Sequence, residues 1–243
     1  FADRNFVLGL LFMFLLGALV LSMNVIMPLF LQNSRGFPIL TAALVMMPRG
    51  LGTMFGLIVA GRIANLVDPR LVIVFGFGCV AYSSWLLSTF TTDVSLWDFI
   101  IAGFFNGIGI GAIWVPLTTV SFWTLPQHLR TEASTLTSLF RNYGSGIGVS
   151  VVISVLTRSQ STAHSHMTEH VNPYAESFRG GGLPSQWDIL TNDGLAALQT
   201  EISRQALSIG FLNDFNLIFY GSMISIPLVI LIARGQMPAA RTE

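Results

Sequence analysis

Two arginines stand where charge is expensive. Arg49 falls in Leu44-Val-Met-Met-Pro48-Arg49-Gly-Leu-Gly52, and Arg141 in Leu139-Phe-Arg141-Asn142-Tyr143-Gly144, both within long apolar runs. A guanidinium keeps its proton in any ordinary site. Holding that charge at the middle of a hydrocarbon layer costs at least ~2.5–3.5 kcal/mol on insertion scales. The chemistry such residues suit is the binding of an acidic side chain or an anionic group on its way through. Their other reading is structural: each pairs with backbone carbonyls, or snorkels to an interface. Asn24, Gln32, Asn106, Asn142 and Trp114 are the further candidates for a polar or flat lining.

Acidic chemistry is scarcer. Asp98, Glu132 and Asp214 all fall near the ends of apolar runs, so the carboxylates of a proton relay are expected outside this segment. No nucleophile–base pair or His/carboxylate cluster suggests an enzyme. His164, His166, Glu169 and His170 crowd together, yet their spacing matches no standard zinc site and reads as a solvated polar tract. All 12 basic residues are arginine, which excludes a Schiff-base lysine. The single cysteine, Cys79, excludes an internal disulfide and a multi-thiolate metal site. Neither a metal nor a cofactor is expected.

The elements that must position these residues cross a membrane. Of 243 residues, 52% are hydrophobic and only 10% charged, against about 25% in soluble domains. Mean hydropathy is +0.68 and net charge zero, which argues against a water-soluble globular domain and a nucleic-acid surface. Six apolar segments run Phe6–Leu31, Thr41–Leu66, Leu71–Phe90, Trp97–Thr124, Thr131–Leu156 and Phe215–Ile232, each long enough for a ~30 Å core. They lack the alternation of barrel strands. The fold class is therefore all-α integral membrane with six transmembrane helices: residues 1–156 hold five spans, 157–212 an outer loop, and 213–243 the sixth span and a tail. Arg4, Arg62, Arg70, Arg130, Arg234 and Arg241 cluster on one side, which makes both ends cytoplasmic by the positive-inside rule. The outer loop has an irregular middle at Pro173, Gly180–Gly182 and Pro184. An amphipathic helix follows it, with Leu195, Leu198, Ile202 and Ile209 on one face, and leads straight into the sixth span. The chain opens on Phe1 with no signal-peptide pattern and reads as a piece of a longer polypeptide.

Small residues mark where spans approach. Gly107-x-Gly109-x-x-Ala112 imitates a dinucleotide fingerprint, but no strand–turn–helix surrounds it. Gly103, Gly107 and Gly111 lie four apart, as membrane helices need for close contact; Gly144 with Gly148 and Gly52 with Gly56 repeat the pattern. Pro28, Pro48, Pro116 and Pro227 sit inside spans and can kink them.

Several stretches carry a resemblance. Asp3-Arg4-Asn5-Phe6, Met27-Pro28-Leu29-Phe30-Leu31-Gln32, Leu44–Gly52 followed by Gly61-Arg62, Leu139–Gly148, and Arg204-Gln205-Ala206 with Asp214-Phe215 are together similar to the carboxy-terminal half of a fourteen-span major facilitator transporter, the drug:proton antiporter family of the EmrB/QacA type. Gly61-Arg62-Ile-Ala-Asn65-Leu-Val-Asp68-Pro69-Arg70 resembles that superfamily's cytoplasmic loop signature, with Asn65 where the signature has an aspartate.

The resemblance implies one half of a major-facilitator fold, built of two three-helix inverted repeats. Helices one, two, four and five would line a cavity, with three and six facing lipid. Phe30, Met23, Met27, Trp114 and Trp123 would form an aromatic, methionine-rich wall. It further implies a proton-driven exporter of amphipathic compounds in a bacterial inner membrane. Its partners would be the bilayer, protons, the amino-terminal half of the same polypeptide and a periplasmic adaptor protein. An exporter of one metabolite or siderophore would share this scaffold. A membrane-embedded structural subunit or enzyme is the alternative of another class.

Overall fold

The computed structural model describes residues 4–63, 66–90, 95–123, 125–169 and 192–231, and builds six helices from them. They are α1 (Arg4–Asn33), α2 (Ile39–Ile63), α3 (Pro69–Ser88), α4 (Leu96–Trp123), α5 (Arg130–Glu169) and α6 (Asn192–Leu228), with 3-10 turns at Gln127–Leu129 and Val229–Leu231. Each helix, the fifth taken with the turn before it, is long and apolar enough to cross a membrane. With no water in the bilayer core, a helix satisfies its own backbone groups internally, so apolar runs of this length fold this way. All four intramembrane prolines sit inside continuous helices.

Local sequence sets the boundaries. α1 ends in a turn where Gly36 takes φ +67°, a left-handed conformation that glycine adopts without penalty. There the Gly36 and Phe37 N–H groups donate to the Gln32 and Leu31 carbonyls at 3.1 Å. At the start of α3, Pro69 occupies the first turn and the Asp68 carboxylate accepts the Arg70 N–H at 3.2 Å.

Two helices exceed the sequence reading. α5 continues past Leu156 to Glu169, because Thr157–Glu169 holds neither glycine nor proline to stop it. The amphipathic segment joins the sixth span without a break, as expected, but its inward face differs. Ala206 is fully buried and Leu198 and Ile202 half-buried, whereas Leu195 and Ile209 point outward. Pro173, Gly180–Gly182 and Pro184 lie outside the described residues.

α2 packs on α4 and α1 on α5, while α3 lies between α4 and α6; α1 also touches α4 and α6. This pattern largely maps onto itself when α1–α3 is exchanged with α4–α6. That is the signature of two related three-helix units in inverted order. The exceptions are that α5 lies along α6, with no comparable contact between α2 and α3, and that α1 meets α2 more closely than α4 meets α5. The core is aromatic: Phe30 stands edge-on to Phe211 and Phe215, with ring centroids 5.4 and 5.6 Å away. α3 buries Ile73, Phe77 and Val80 inward and turns Phe75, Tyr82 and Trp85 outward, so only one of its faces is free for lipid.

Candidate substrate pathway

Both arginines sit at helix crossings where backbones touch. A Cβ added at Gly107 of α4 would collide with the Arg49 carbonyl of α2, and one at Gly52 with the Phe104 carbonyl of α4. At Gly56 it would stand 2.5 Å from the Ile108 carbonyl oxygen. The α1–α5 crossing has the same build. There Gly17 abuts the Arg141 carbonyl, Gly144 the Phe14 carbonyl, and Gly148 the Ala18 backbone, at 2.5 Å from its Cα. The glycine rows are thus packing surfaces, as their spacing predicts. Closure at such short range leaves each arginine side chain to leave the crossing at its edge.

Their surroundings differ. Arg49 is only 8% exposed, and its Nη1 has no hydrogen-bond partner among the described residues. Nearby on α4, Gly103 faces the Arg49 Cβ, and Asn106 on the next turn is buried with its Oδ1 likewise unpartnered. The Arg49 carbonyl accepts the Thr53 hydroxyl at 3.0 Å. Arg141 is half-exposed, and its guanidinium carbon lies 5.1 Å from the centre of the Trp114 ring. Such stacking holds a cation while leaving its N–H donors free for an anion. The structure therefore brings Arg141 to Trp114, and Arg49 to the α4 face that carries Asn106. Asn24 and Asn142 are exposed and Gln32 is half-buried; no hydrogen bond among the described residues ties them to either arginine.

The expected wall is corrected. Met23, Met27 and Phe30 are buried in the core of this half, because α1 is surrounded by α4, α5 and α6. Trp123 is half-buried. The apolar side chains turned outward on α2 and α5 include Met47, Leu51 and Phe55 on α2, and Leu139, Tyr143 and Ile147 on α5.

The acid that looked terminal in the sequence is also corrected. Asp214 is fully buried, and neither carboxylate oxygen has a hydrogen-bond partner among the described residues. The position read as the start of the sixth span is mid-helix in the continuous α6 and packed into the core. The run Gly210-Phe-Leu-Asn-Asp214-Phe215 held the signal, an acid set among Phe211, Leu212 and Phe215. A further cavity of about 300 Å³ opens between the end of α1 and the first half of α6, lined by Phe30, Ser34, Arg35, Arg204 and Leu212 among others. Among the described residues no three His, Cys, Asp or Glu side chains group to hold a metal; His170 lies outside them.

The sequence model of the Major Facilitator Superfamily matches residues 1–149. The chain belongs to that superfamily. Among similar proteins, the fatty acid resistance protein FarB of Neisseria gonorrhoeae is 29% identical over 98% of this chain and 46% of its own length. The probable multidrug resistance protein EmrY of Escherichia coli K12 is 29% identical over 86% of this chain and 41% of its own length. The lincomycin resistance protein LmrB of Bacillus subtilis is 26% identical over 69% and 34%. The chain thus spans less than half the length of these relatives, and the EmrB-type likeness holds along nearly all of it. In this superfamily half, the loop signature ends α2 with Gly61 and Arg62 exposed. Asp68 serves as the cap of α3 and Arg70 is half-buried; Asn65 lies outside the described residues.

Proposed function

We propose that this chain is the carboxy-terminal half of a proton-coupled exporter of amphipathic compounds that works by alternating access. One observation carries the reading. A six-helix, two-unit body that places arginines at both inter-unit crossings is similar over 98% of its length to a protein named for fatty acid resistance, and over 86% to one named for multidrug resistance. A substrate cavity at the interface of two such halves would be walled here by α2 and α5, whose outward faces are apolar. Arg49, Arg141 and Trp114 would line the pathway, with Asn24, Asn106, Asn142 and Gln32 supplying polar contacts. The loop Gly61, Arg62, Asn65, Asp68 and Arg70 would brace the cytoplasmic side. The two ends of this segment would be cytoplasmic, in a bacterial inner membrane. Protons drive the cycle, the amino-terminal half supplies coupling carboxylates, and Asp214 is a candidate within this half. A periplasmic adaptor is the proposed protein partner.

The test is efflux from cells lacking their own pumps. The full-length polypeptide should raise resistance to amphipathic drugs several-fold and lose that effect when the proton gradient is collapsed. Residues 1–243 alone should insert in the membrane and give no resistance. Resistance from the segment alone, or resistance indifferent to the gradient, would defeat the reading.

A further inference from the structure

The two crossings match one another at their central contacts. Arg49 is followed by Gly52, Thr53 and Gly56; Arg141 is followed at the same steps by Gly144, Ser145 and Gly148. Each arginine carbonyl meets a glycine of the partner helix, Gly107 of α4 or Gly17 of α1. Each first glycine of the motif meets a phenylalanine carbonyl three residues before that, Phe104 or Phe14. The outward side chains match as well: Met47 with Leu139, Leu51 with Tyr143, Phe55 with Ile147, all large, apolar and exposed. Seven residues beyond Gly107 stands Trp114, the platform of Arg141; seven beyond Gly17 stands Asn24. Arg49 and Arg141 are thus equivalent positions of the two units.

The units run in opposite directions. Arg49 comes ten residues after Ile39 opens α2, and Arg141 eleven after Arg130 opens α5. Three crossings separate those two helix starts, so they lie at opposite membrane faces. At 1.5 Å per residue, each arginine sits about 15 Å in from its own face. One is occluded and lacks a partner at Nη1 among the described residues; the other is open over an aromatic ring.

We propose that Arg49 and Arg141 are two alternating stations for a single anionic head group, the carboxylate, sulfonate or phosphate of an amphiphile. The proposal rests on the exporter reading above. In the conformation described, Arg141 offers its guanidinium over Trp114 while Arg49 is shut between α2 and α4. When inverted units exchange conformations, Arg49 opens beside Asn24 and Arg141 closes. Trp114 and Asn24 are then equivalent neighbours, one stacking and one hydrogen-bonding. An occluded guanidinium without an acid is costly, and an arriving anion would offset that cost. The same pair would disfavour cationic amphiphiles.

Proteoliposomes of the full-length polypeptide test this with two probes of equal chain length, dodecanoate and dodecyltrimethylammonium. Wild type should favour dodecanoate, and both Arg49→Gln and Arg141→Gln should lower the dodecanoate-to-ammonium transport ratio at least tenfold. The sharper readout is sidedness. In right-side-out and inside-out vesicles, Arg141→Gln should abolish dodecanoate binding from one face and Arg49→Gln from the other. Lysine at either position should restore part of the ratio, because charge returns without the planar fork; if a glutamine variant fails to insert, the lysine variant carries the comparison. Wild type favouring the cation, an unchanged ratio in the variants, or loss from the same face for both would overturn the proposal. Wild type that moves neither probe but still exports drugs would sink the stations alone; wild type that exports nothing would sink the exporter reading itself.

Discussion

In the first three-helix unit α2 stops at Ile63 and makes no substantial contact with α3, whereas in the second α5 runs on to Glu169 and lies along α6. Inside the membrane the units coincide at the two crossings, where Gly17, Gly144 and Gly148 answer to Gly107, Gly52 and Gly56. Outside it they part. A Cβ at Gly210 of α6 would press on Leu156 and approach Gln160, beyond the last apolar turn expected of α5. At 40 residues α5 is about 60 Å long, twice what a bilayer core needs. The duplicated part is common to the two units, and the extension, α5 past Leu156 with the first half of α6, is an addition to one unit only. Function that depends on symmetry belongs to the crossings, and function peculiar to one face belongs to the extension.

The comparison breaks most visibly at the touching glycines. Gly17→Leu and Gly107→Leu each force a side chain against a backbone carbonyl that cannot yield. Overpacking commonly costs about 1–3 kcal/mol and more where nothing relaxes, so both variants should fail to accumulate in the membrane. Gly50→Leu and Gly146→Leu, where an added Cβ meets nothing within 4 Å, should accumulate normally. Membrane yield and thermal unfolding measure all four. Equal damage at Gly17 and Gly107 supports equivalent crossings; damage at one alone refutes it.

This symmetry was legible in the sequence only in part. The six spans, the glycine rows and the two arginines within apolar runs follow from hydropathy, spacing and the cost of charge, all local properties. Which glycine meets which carbonyl is a tertiary fact, and no spacing rule states it. Met23, Met27 and Phe30 looked like a cavity wall because their types suit one, yet burial depends on which helices surround α1. Asp214 looked like a residue at a span end because apolarity falls off before it, and its burial depends on which helices pack around α6. The length of α5 was hidden similarly: Thr157–Glu169 is polar, and hydropathy sees the membrane rather than the helix.

A smaller effect separates α3 from α6, which hold matching places in the two units. Both bury polar side chains, among them Ser83 in α3 and Asp214 in α6. The Ser83 hydroxyl of α3 donates to the Ala102 carbonyl at 2.7 Å, while Asp214 of α6 has no hydrogen-bond partner among the described residues. Removing a satisfied buried hydrogen bond costs about 1 kcal/mol, whereas an unsatisfied buried polar group is itself a penalty of about 1–3 kcal/mol. Ser83→Ala should therefore lower the unfolding temperature and Asp214→Leu should raise it, in a thermal-shift assay in detergent. Destabilisation by Asp214→Leu would mean that the carboxylate meets a partner supplied from beyond this half.

The smallest expected effect tests whether the extension is tied to the first unit at all. Arg204 of α6 donates through Nε and Nη2 to the Glu201 carboxylate at 3.0 and 2.8 Å, and through Nη1 to the Ser34 carbonyl at 3.4 Å. Gln205 donates to the same carboxylate at 3.0 Å. Ser34 follows the last residue of α1, so this clasp joins the first half of α6 to the turn between α1 and α2. The Arg204 side chain is 47% exposed, and exposed ion pairs are worth about 0–1 kcal/mol and weaken with salt. Global stability should thus barely change in Arg204→Gln. Local opening is another matter, because one carbonyl contact at the end of a long helix is what local unfolding breaks first. Hydrogen exchange at the amides of 198–209 should accelerate in the variant while those of 215–228 stay protected, and high salt should bring wild type part of the way to the variant. If exchange rises equally through 215–228, the extension and the span behave as one body, and the division between a duplicated core and an added outer helix is wrong.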